Sequence, residues 1–188
     1  MLELLKESLK ECPIVPMKDY NYFVHPLTDG IPLIEPALLE EVADTIIKIA
    51  DMDCDYILTA QSMGFPLATA LSLKTDLPFK FIRKRRYGLP GELPLSQVTG
   101  YSSGDMYINY VEKGDKIFFI DDVLSTGGTL RAILASLINI GAEITDVVVI
   151  FEKVGVKHEI EEEFHMKIKS LLQLNMDSES IEIIGEGF

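Results

Sequence analysis

Two adjacent carboxylates stand just before a polar, glycine-containing loop in the middle of the chain. Asp121 and Asp122 follow an apolar run, 117–120, that predicts a buried strand. Carboxylates accept hydrogen bonds from neutral hydroxyls, such as those of a sugar diol, and they can help to hold a hydrated cation. The pair is therefore a candidate site for a diol, a cation or both.

The loop that follows, 125–129, offers the opposite chemistry. It reads Ser-Thr-Gly-Gly-Thr and leads into an apolar run, 130–140, that predicts a helix. Gly127 and Gly128 let the backbone come close to a ligand, and the first amides of the helix have no partner within it. Together these features favour an anion such as phosphate, and the threonine hydroxyls can add donors. A diol site beside a phosphate site predicts a sugar phosphate as the ligand.

Single residues exclude two common phosphate-binding loops. A Walker A loop needs a lysine after its last glycine, where this chain has Thr129. A dinucleotide-binding loop needs three spaced glycines, and this loop has Gly127 and Gly128 alone. From these residues an ordinary strand-to-helix turn capped by threonine stays open as the alternative, because Asp, Ser, Thr and Gly are common in loops.

The stretch 117–129 resembles the phosphoribosyl diphosphate (PRPP) binding motif of type I phosphoribosyltransferases. The shared pattern is four apolar residues, two acids, two apolar residues and a Ser/Thr-Thr-Gly-Gly-Thr loop. The resemblance implies transfer of a ribosyl phosphate to a purine nitrogen, with Mg²⁺ held mainly by substrate oxygens and not by direct protein ligands. It assigns catalysis and the ribose diol to Asp121 and Asp122, the 5′-phosphate to Ser125, Thr126, Gly127, Gly128 and Thr129, and purine packing to Val123 and Leu124.

Helical and strand patterns alternate along the chain, which predicts an α/β fold with a mostly parallel sheet. The predicted helices are 2–9, 36–50, 66–73, 130–140 and a polar one near 159–163, and the predicted strands are 20–24, 56–59, 79–83, 101–111, 117–120, 146–150, 168–174 and 181–184. Ligands of such sheets bind beyond the carboxyl ends of the strands. We therefore expect the four loops at those ends to converge on one site: 60–64, 83–92, 121–129 and 152–153.

The resemblance adds an expected arrangement of the whole chain. It implies one phosphoribosyltransferase domain over residues 1–188, a central sheet flanked by helices, and a small hood. The hood would come from about residues 12–35 and from C-terminal elements. Residues 84–110, interrupted by glycines and prolines, would form a flexible loop that closes over the substrates.

Four consecutive cations, 83–86, stand out in a chain whose net charge is −13. They should repel one another unless an anion meets them, although a solvated loop is the alternative. The segment 83–92 resembles the Arg-Lys…Leu-Pro-Gly-Glu segment of adenine and related phosphoribosyltransferases. This resemblance implies that Arg83, Lys84 and Arg86 bind pyrophosphate, commonly that of a neighbouring subunit, and therefore predicts a homodimer.

A second pyrophosphate-binding loop is expected at Gln61, Ser62, Met63 and Gly64, which precede a helix. Such a loop can be an ordinary helix cap. The resemblance implies that its backbone amides bind pyrophosphate. Adenine phosphoribosyltransferases usually carry an acid and an arginine here, and this chain does not.

Lys153 follows an apolar strand and resembles the lysine of the Glu-Lys pair in xanthine phosphoribosyltransferase. That resemblance implies contact with the 6-oxo group of a purine, because an ammonium group can only donate hydrogen bonds. A surface lysine is the alternative, and His25 is likewise either part of the hood or a surface histidine. The segments 22–30 and 97–101 resemble the archaeal hypoxanthine branch of the family.

The resulting hypothesis is purine salvage with hypoxanthine or guanine as the base. Adenine or xanthine is the alternative base, and a PRPP-binding transcriptional regulator is an alternative of another class. The net charge of −13 argues against a nucleic-acid partner. No stretch approaches the roughly 20 apolar residues of a membrane span, so we expect no membrane segment and a cytoplasmic protein. Cys12 and Cys54 are far apart and predict neither a disulfide nor a zinc site.

Overall fold

The computed structural model describes residues 2–17, 20–98, 103–176 and 180–188. Its helices are α1 (Glu3–Ser8), α2 (Pro26–Asp29), α3 (Pro36–Ile49), α4 (Gly64–Thr75), α5 (Gly128–Ile140) and α6 (Lys157–Phe164). Its strands are β1 (Ile14–Met17), β2 (Tyr20–Phe23), β3 (Tyr56–Ala60), β4 (Phe79–Ile82), β5 (Leu93–Val98), β6 (Ser103–Ile108), β7 (Lys116–Leu124), β8 (Glu143–Lys153), β9 (Lys169–Met176) and β10 (Ile181–Gly187). Within these ranges, no helix combines the length and the apolar character that crossing a membrane requires.

A six-stranded sheet in the order β10-β9-β8-β7-β3-β4 forms the centre of the fold. Every neighbouring pair in it is parallel except β9 and β10, which are antiparallel. The central strands β3, β7 and β8 are buried on both faces over most of their length, as is usual for parallel sheets. The α/β class with a mostly parallel sheet is thereby confirmed.

Alternate residues of the central strands supply two separate hydrophobic cores. Phe118 and Ile120 of β7 pack into one core with residues of α1, α3 and α4. Ile117 and Phe119 of the same strand pack into the other with residues of α5 and with Ile160 of α6. The period of two in a strand sends neighbouring side chains to opposite faces, so a continuous apolar run is what a doubly covered strand needs.

The N-terminal segment for which we expected a hood begins with a hairpin of β1 and β2, in which Ile14 faces Phe23, and continues into α2. His25, at the start of α2, is fully buried. Its Nδ1 accepts from the Leu27 amide at 3.0 Å, and its Nε2 lies 2.8 Å from Ser8 Oγ. Burial lowers the pKa of His25 to about 4, against a smaller opposing effect of the Asp29 charge. The alternative of a surface histidine was wrong.

Part of the expected loop 84–110 forms regular secondary structure. β5 and β6 form an antiparallel hairpin in which Leu95 faces Met106, and both side chains are buried against the second core. Pro94 is compatible with this arrangement because β5 pairs with one strand only, which leaves its other edge without ladder bonds to lose. Residues 99–102 of the expected loop 84–110 lie outside the described residues.

Candidate active site

A cavity of about 240 Å³ lies at the carboxyl ends of β3 and β7. Its lining includes every residue from Asp121 to Thr129. The other lining residues are Tyr22, Phe23, Thr28, Ala60, Gln61, Ser62, Met63, Lys84, Met106, Leu130 and Val149. Three of the four loops expected at the strand ends therefore meet here, together with part of the hood.

The acid pair is part of β7 itself. The sequence predicted that this strand ends at Ile120, which was wrong: pairing with β8 continues, with Asp121 opposite Val149 and Leu124 opposite Glu152. The Asp122 amide donates to Asp121 Oδ1 at 3.1 Å. Because the carboxylates belong to a paired strand, their backbone is fixed before any ligand arrives.

The same position makes the negative charge of the pair unfavourable. Burial, reinforced by the neighbouring charge of Asp122, raises the pKa of Asp121 well above its ordinary value. Burial likewise raises the pKa of Asp122 to about 6. Hydroxyl donors or a hydrated cation would stabilise the charged form, which suits a ribose diol and a magnesium-bearing substrate.

The phosphate loop depends on Gly127 for conformation and for space. Gly127 precedes α5 with φ 76°, a left-handed conformation that favours glycine. A Cβ at this position would lie 2.6 Å from Ile160 Cδ1 and 2.8 Å from Val156 Cγ1. Helix α5 then begins at Gly128, two residues earlier than the sequence predicted, so that Gly128, Thr129 and Leu130 in its first turn line the cavity.

A second loop, 61–64, joins β3 to α4 and lies against the end of β3. The Gln61–Ser62 peptide is cis. A Cβ on Gly64 would lie 1.7 Å from Thr59 Oγ1, so the backbone rests directly on that side chain. Gln61 Oε1 accepts from the Lys84 amide at 3.0 Å. This side chain, which we expected at the pyrophosphate, also ties the loop to the basic segment.

The basic segment contributes only part of its charge to this cavity. Lys84 lines the cavity, whereas Arg83 and Arg86 do not. Gly64, which was expected at the pyrophosphate with the loop 61–64, does not line it either. The Arg83 guanidinium stands over the rings of Phe81 and Tyr87, at 4.5 and 5.5 Å from their centroids. The Arg86 side chain is 74% exposed, with Nε 3.7 Å from Glu92 Oε1.

Glu92, whose side chain is only 4% exposed, is a residue that the sequence did not single out for a role. Its carboxylate accepts from the amides of Tyr87 and Gly88 at 2.9 and 2.8 Å, and from Asn109 Nδ2 at 3.4 Å. Burial alone would raise the pKa of Glu92, but these hydrogen bonds outweigh it and lower the pKa. The carboxylate thus fixes the turn that follows the cations.

Lys153 lies behind the wall of the cavity and does not line it. β8 extends to Lys153, beyond the end that the sequence predicted, because it pairs with β9 to that point. The ammonium donates to the Asn21 carbonyl at 3.3 Å and lies 5.7 Å from the Phe23 ring centroid. Burial lowers the pKa of Lys153 to about 8.

Three hood residues in the lining were missed by the sequence reasoning: Tyr22, Phe23 and Thr28. Tyr22 donates from its hydroxyl to Asp29 Oδ1 at 2.6 Å, which fixes one wall of the cavity. The available signal was the aromatic content of the predicted strand 20–24, immediately before His25-Pro26. Aromatic side chains in the lining of a cavity would suit a flat heterocycle.

The acid pair, the loop 125–129 and the loop 61–63 with Lys84 thus line one cavity on a mostly parallel sheet, an arrangement suited to a sugar phosphate. The chain belongs to the phosphoribosyl transferase domain family, whose model matches residues 33–181. It is accordingly a member of a glycosyltransferase class, the pentosyltransferases. The recognition of this family from residues 117–129 is confirmed.

Within the family, the chain is similar over nearly its full length to archaeal enzymes of one name. It is 49% identical to the hypoxanthine/guanine phosphoribosyltransferase of Methanothermococcus okinawensis over 183 residues, which cover 97% of this chain and 100% of that protein. It is 53% identical to the enzyme of the same name from Methanocaldococcus infernus over 173 residues, 92% of this chain and 94% of that one.

Solved structures of adenine phosphoribosyltransferases share the fold. The Trypanosoma brucei enzyme, solved with AMP, pyrophosphate and ribose-5-phosphate, has a TM-score of 0.74 at 20% identity, covering 91% of this chain and 79% of its own. The Rhodothermus marinus enzyme has a TM-score of 0.71 at 24% identity, covering 92% and 98%. At these identities the likeness concerns the fold alone.

Proposed function

We propose that the protein is a purine salvage enzyme that converts hypoxanthine, guanine or both, with PRPP, into the 5′-nucleotide and pyrophosphate. The observation that carries this proposal is the single cavity that joins Asp121–Thr129 to Gln61, Ser62 and Lys84. It supplies an acid pair for a diol and two loops for two phosphate groups. The names of the relatives at 49–53% identity support the choice of base.

Each part of the lining then has a role at PRPP. Asp121 and Asp122 hold the ribose diol and stabilise the positive charge that develops on the sugar ring in an oxocarbenium-like transition state. The loop 125–129 binds the 5′-phosphate with the first amides of α5. The loop 61–64 and Lys84 bind the pyrophosphate as it leaves.

Magnesium fits this arrangement as part of the substrate complex. Among the residues that the structure describes, no group of three or more His, Cys, Asp or Glu side chains could hold a metal ion by itself. Mg²⁺ keeps several non-protein oxygens in its shell, so PRPP oxygens and water would complete it beside Asp121 and Asp122. When bound there, Mg²⁺ neutralises charge on the leaving pyrophosphate.

The purine would occupy the end of the cavity under the hood. Val123, Leu124, Tyr22 and Phe23 all belong to the lining of the cavity. Lys153, next to Phe23, supplies a donor suited to a 6-oxo group and unsuited to the amino group of adenine. Its lowered pKa reflects the desolvation that would strengthen such a hydrogen bond.

The dimer and the location stay predictions. Arg83 and Arg86 do not line their own chain's cavity, which suits a role at the site of a second subunit. We therefore propose a homodimer whose basic segments serve neighbouring sites. A cytoplasmic location is the prediction made from the sequence.

The experiment that tests the proposed function is nucleotide formation with PRPP and Mg²⁺, offering hypoxanthine, guanine, adenine and xanthine separately. We expect turnover of hypoxanthine or guanine and none of adenine. Turnover of adenine would overturn the proposed role of Lys153 but would still support phosphoribosyl transfer as the reaction. Failure to turn over any base, with retained PRPP binding and salt-sensitive DNA binding, would favour the transcriptional regulator.

A further inference from the structure

Helix α6 packs directly against the phosphate loop, although its own residues are absent from the cavity lining. Val156 precedes the helix and Ile160 lies in its second turn. These two side chains fill the space that a Cβ on Gly127 would need, and Ile160 is fully buried. The position of α6 therefore sets how far the backbone at Gly127 can move away from a bound phosphate.

The ion pairs between α5 and α6 add little to the packing of Ile160 in the second core. Arg131 of α5 donates to Glu163 at 2.8 Å and to Glu159 at 3.1 Å. The side chains of Glu159 and Glu163 are 71% and 50% exposed, so these ion pairs are screened by water. The turn that leads from β8 into α6 is also weakly packed, since Val154 is 57% exposed and a Cβ on Gly155 would meet nothing within 4 Å.

Besides this apolar packing, α6 has a buried polar attachment, an ion pair at its first residue. Lys157 Nζ lies 3.3 Å from Glu152 Oε2, and the two side chains are only 14% and 5% exposed. The same ammonium donates to the Gly187 carbonyl at 2.9 Å. Glu152 Oε2 also accepts from Ser170 Oγ and, at 3.1 Å, from Gln173 Nε2.

The end of β10 closes over this pair. A Cβ on Gly187 would lie 2.0 Å from Ser170 Oγ and 3.1 Å from Lys157 Nζ. Water therefore has little access, and each charge depends on its buried partners. Removing one partner of a buried pair is costly because it leaves the other charge uncompensated.

We propose that the Glu152–Lys157 ion pair is a positioning element for PRPP. It fixes the start of α6 on the sheet, so that Val156 and Ile160 hold Gly127 and the loop 125–129 in the conformation that binds the 5′-phosphate. Neither Glu152 nor Lys157 touches the substrate. The inference rests on the proposed function, in which that loop binds the phosphate of PRPP.

The test is titration calorimetry of PRPP with Mg²⁺ and without purine, on the whole protein and on matched variants. Lys157→Met keeps most of the apolar stem and removes the buried charge, and we expect it to weaken PRPP binding about tenfold, because a small displacement of a binding group is costly. Lys167→Met makes the same change on a side chain that is 85% exposed and pairs with Glu161 at 3.4 Å. It should bind PRPP like the unmodified protein.

Two measurements separate positioning from general stability. In steady-state assays, Lys157→Met should raise the KM for PRPP while the KM for the purine and kcat change by less than about twofold. Lys157→Arg, which keeps the charge, should recover most of the affinity. Should Lys157→Met fold poorly, Ile160→Val removes the atom nearest Gly127 without touching the ion pair, and about threefold weaker PRPP binding is expected.

Equal PRPP affinity in Lys157→Met and Lys167→Met, or in Ile160→Val and the unmodified protein, would overturn the proposal. So would a Lys157→Met protein in which the KM values for PRPP and purine rise together as Tm falls. If the unmodified protein binds no PRPP at all, the proposed function fails as well, and that result is distinct from the others.

Discussion

The two ends of the cavity, for which we propose 5′-phosphate and pyrophosphate binding, are built in different ways. At the 5′-phosphate end, the acids and the loop 121–129 form one continuous segment that runs from a central strand into a helix. At the pyrophosphate end, the loop 61–64 meets the basic segment through a hydrogen bond from the Lys84 amide to Gln61 Oε1. The first end is fixed by regular structure, and the second by a few polar contacts between loops.

The difference suits the chemistry proposed for the two ends. The ribosyl phosphate has to be held still while the bond to its anomeric carbon changes, which a strand and a helix terminus can do. Pyrophosphate has to bind and then leave, which is easier where the contacts belong to loops. The cations of the basic segment are also only partly committed to this cavity. Lys84 lines it, while Arg83 and Arg86 do not.

The largest expected effect is at the rigid end. Asp122→Asn should lower kcat/KM by about 100- to 1,000-fold, because it removes a charge that faces the developing positive charge on the sugar ring. The measurement is steady-state nucleotide formation at saturating Mg²⁺. Retention of more than half of the activity would remove Asp122 from its assigned role.

The same variant should be more stable than the unmodified protein at pH 7. The pKa of Asp122 is about 6 in the folded state and 3.8 ordinarily, so between these values the folded protein binds more protons than the unfolded chain. Its stability contribution is present below about pH 4 and is lost as pH rises through 6. The Asp122→Asn substitution would remove the part of that slope that Asp122 contributes and leave the part from Asp121, whose pKa is also raised. Denaturant unfolding at pH 7 should show a gain of about 1–2 kcal/mol.

The glycines of the two loops allow a sharper test of the comparison. Gly64→Ala and Gly127→Ala should each lower the free energy of unfolding by about 2–4 kcal/mol, because both place a Cβ inside a neighbouring side chain. At Gly64 the obstacle is Thr59 Oγ1, a buried atom for which the described residues supply no hydrogen-bond partner. Thr59→Ala should therefore rescue much of the loss in Gly64→Ala.

Gly127→Ala should resist the corresponding rescue. Val156→Ala combined with Ile160→Val would remove both atoms that the new Cβ would meet most closely, but the left-handed φ of 76° would still strain an alanine. Denaturant unfolding of both mutant cycles measures the two couplings. Equal rescue at the two glycines would contradict the claim that conformation, and not space alone, distinguishes the phosphate loop.

The sequence predicted the rigid end well because its chemistry is contiguous. Asp121, Asp122 and the loop after them occur within nine residues, and a strand and helix that flank such a segment must bring its residues together. The strand's true end was not predictable in this way. β7 extends to Leu124 because β8 is long enough to pair with it, which depends on a partner outside the local pattern.

The proposed pyrophosphate end and the N-terminal residues of the lining were predicted less well for a related reason. Glu92 gains its role from amides of Tyr87 and Gly88 in a turn whose shape no periodicity encodes. Tyr22 and Phe23 reach the cavity because the β1–β2 hairpin folds over the sheet. Long-range packing, and not local propensity, decides such contacts.

The proposed exchange of cations between subunits should have a smaller effect than loss of the acid pair. We expect Arg83→Ala/Arg86→Ala to weaken PRPP binding about tenfold, with little change in the KM for purine, because these charges act on pyrophosphate. Mixing this variant with Asp122→Asn should then restore roughly one quarter of the activity, because half of the randomly mixed dimers contain one intact site. Mixtures no more active than their components would place the arginines at their own chain's site.

The smallest expected effect is at Ser125, which lines the cavity between the acid pair and the glycines. In the proposed function the loop binds the 5′-phosphate mainly through backbone amides at the start of α5, and Ser125→Ala leaves those amides in place. Activity should fall by no more than about threefold, the loss of one hydroxyl hydrogen bond, when kcat and both KM values are measured beside Asp122→Asn. A loss as large as that of Asp122→Asn would mean that Ser125 takes part in proton transfer. The division between a charged, rate-determining acid pair and a backbone phosphate loop would then no longer hold.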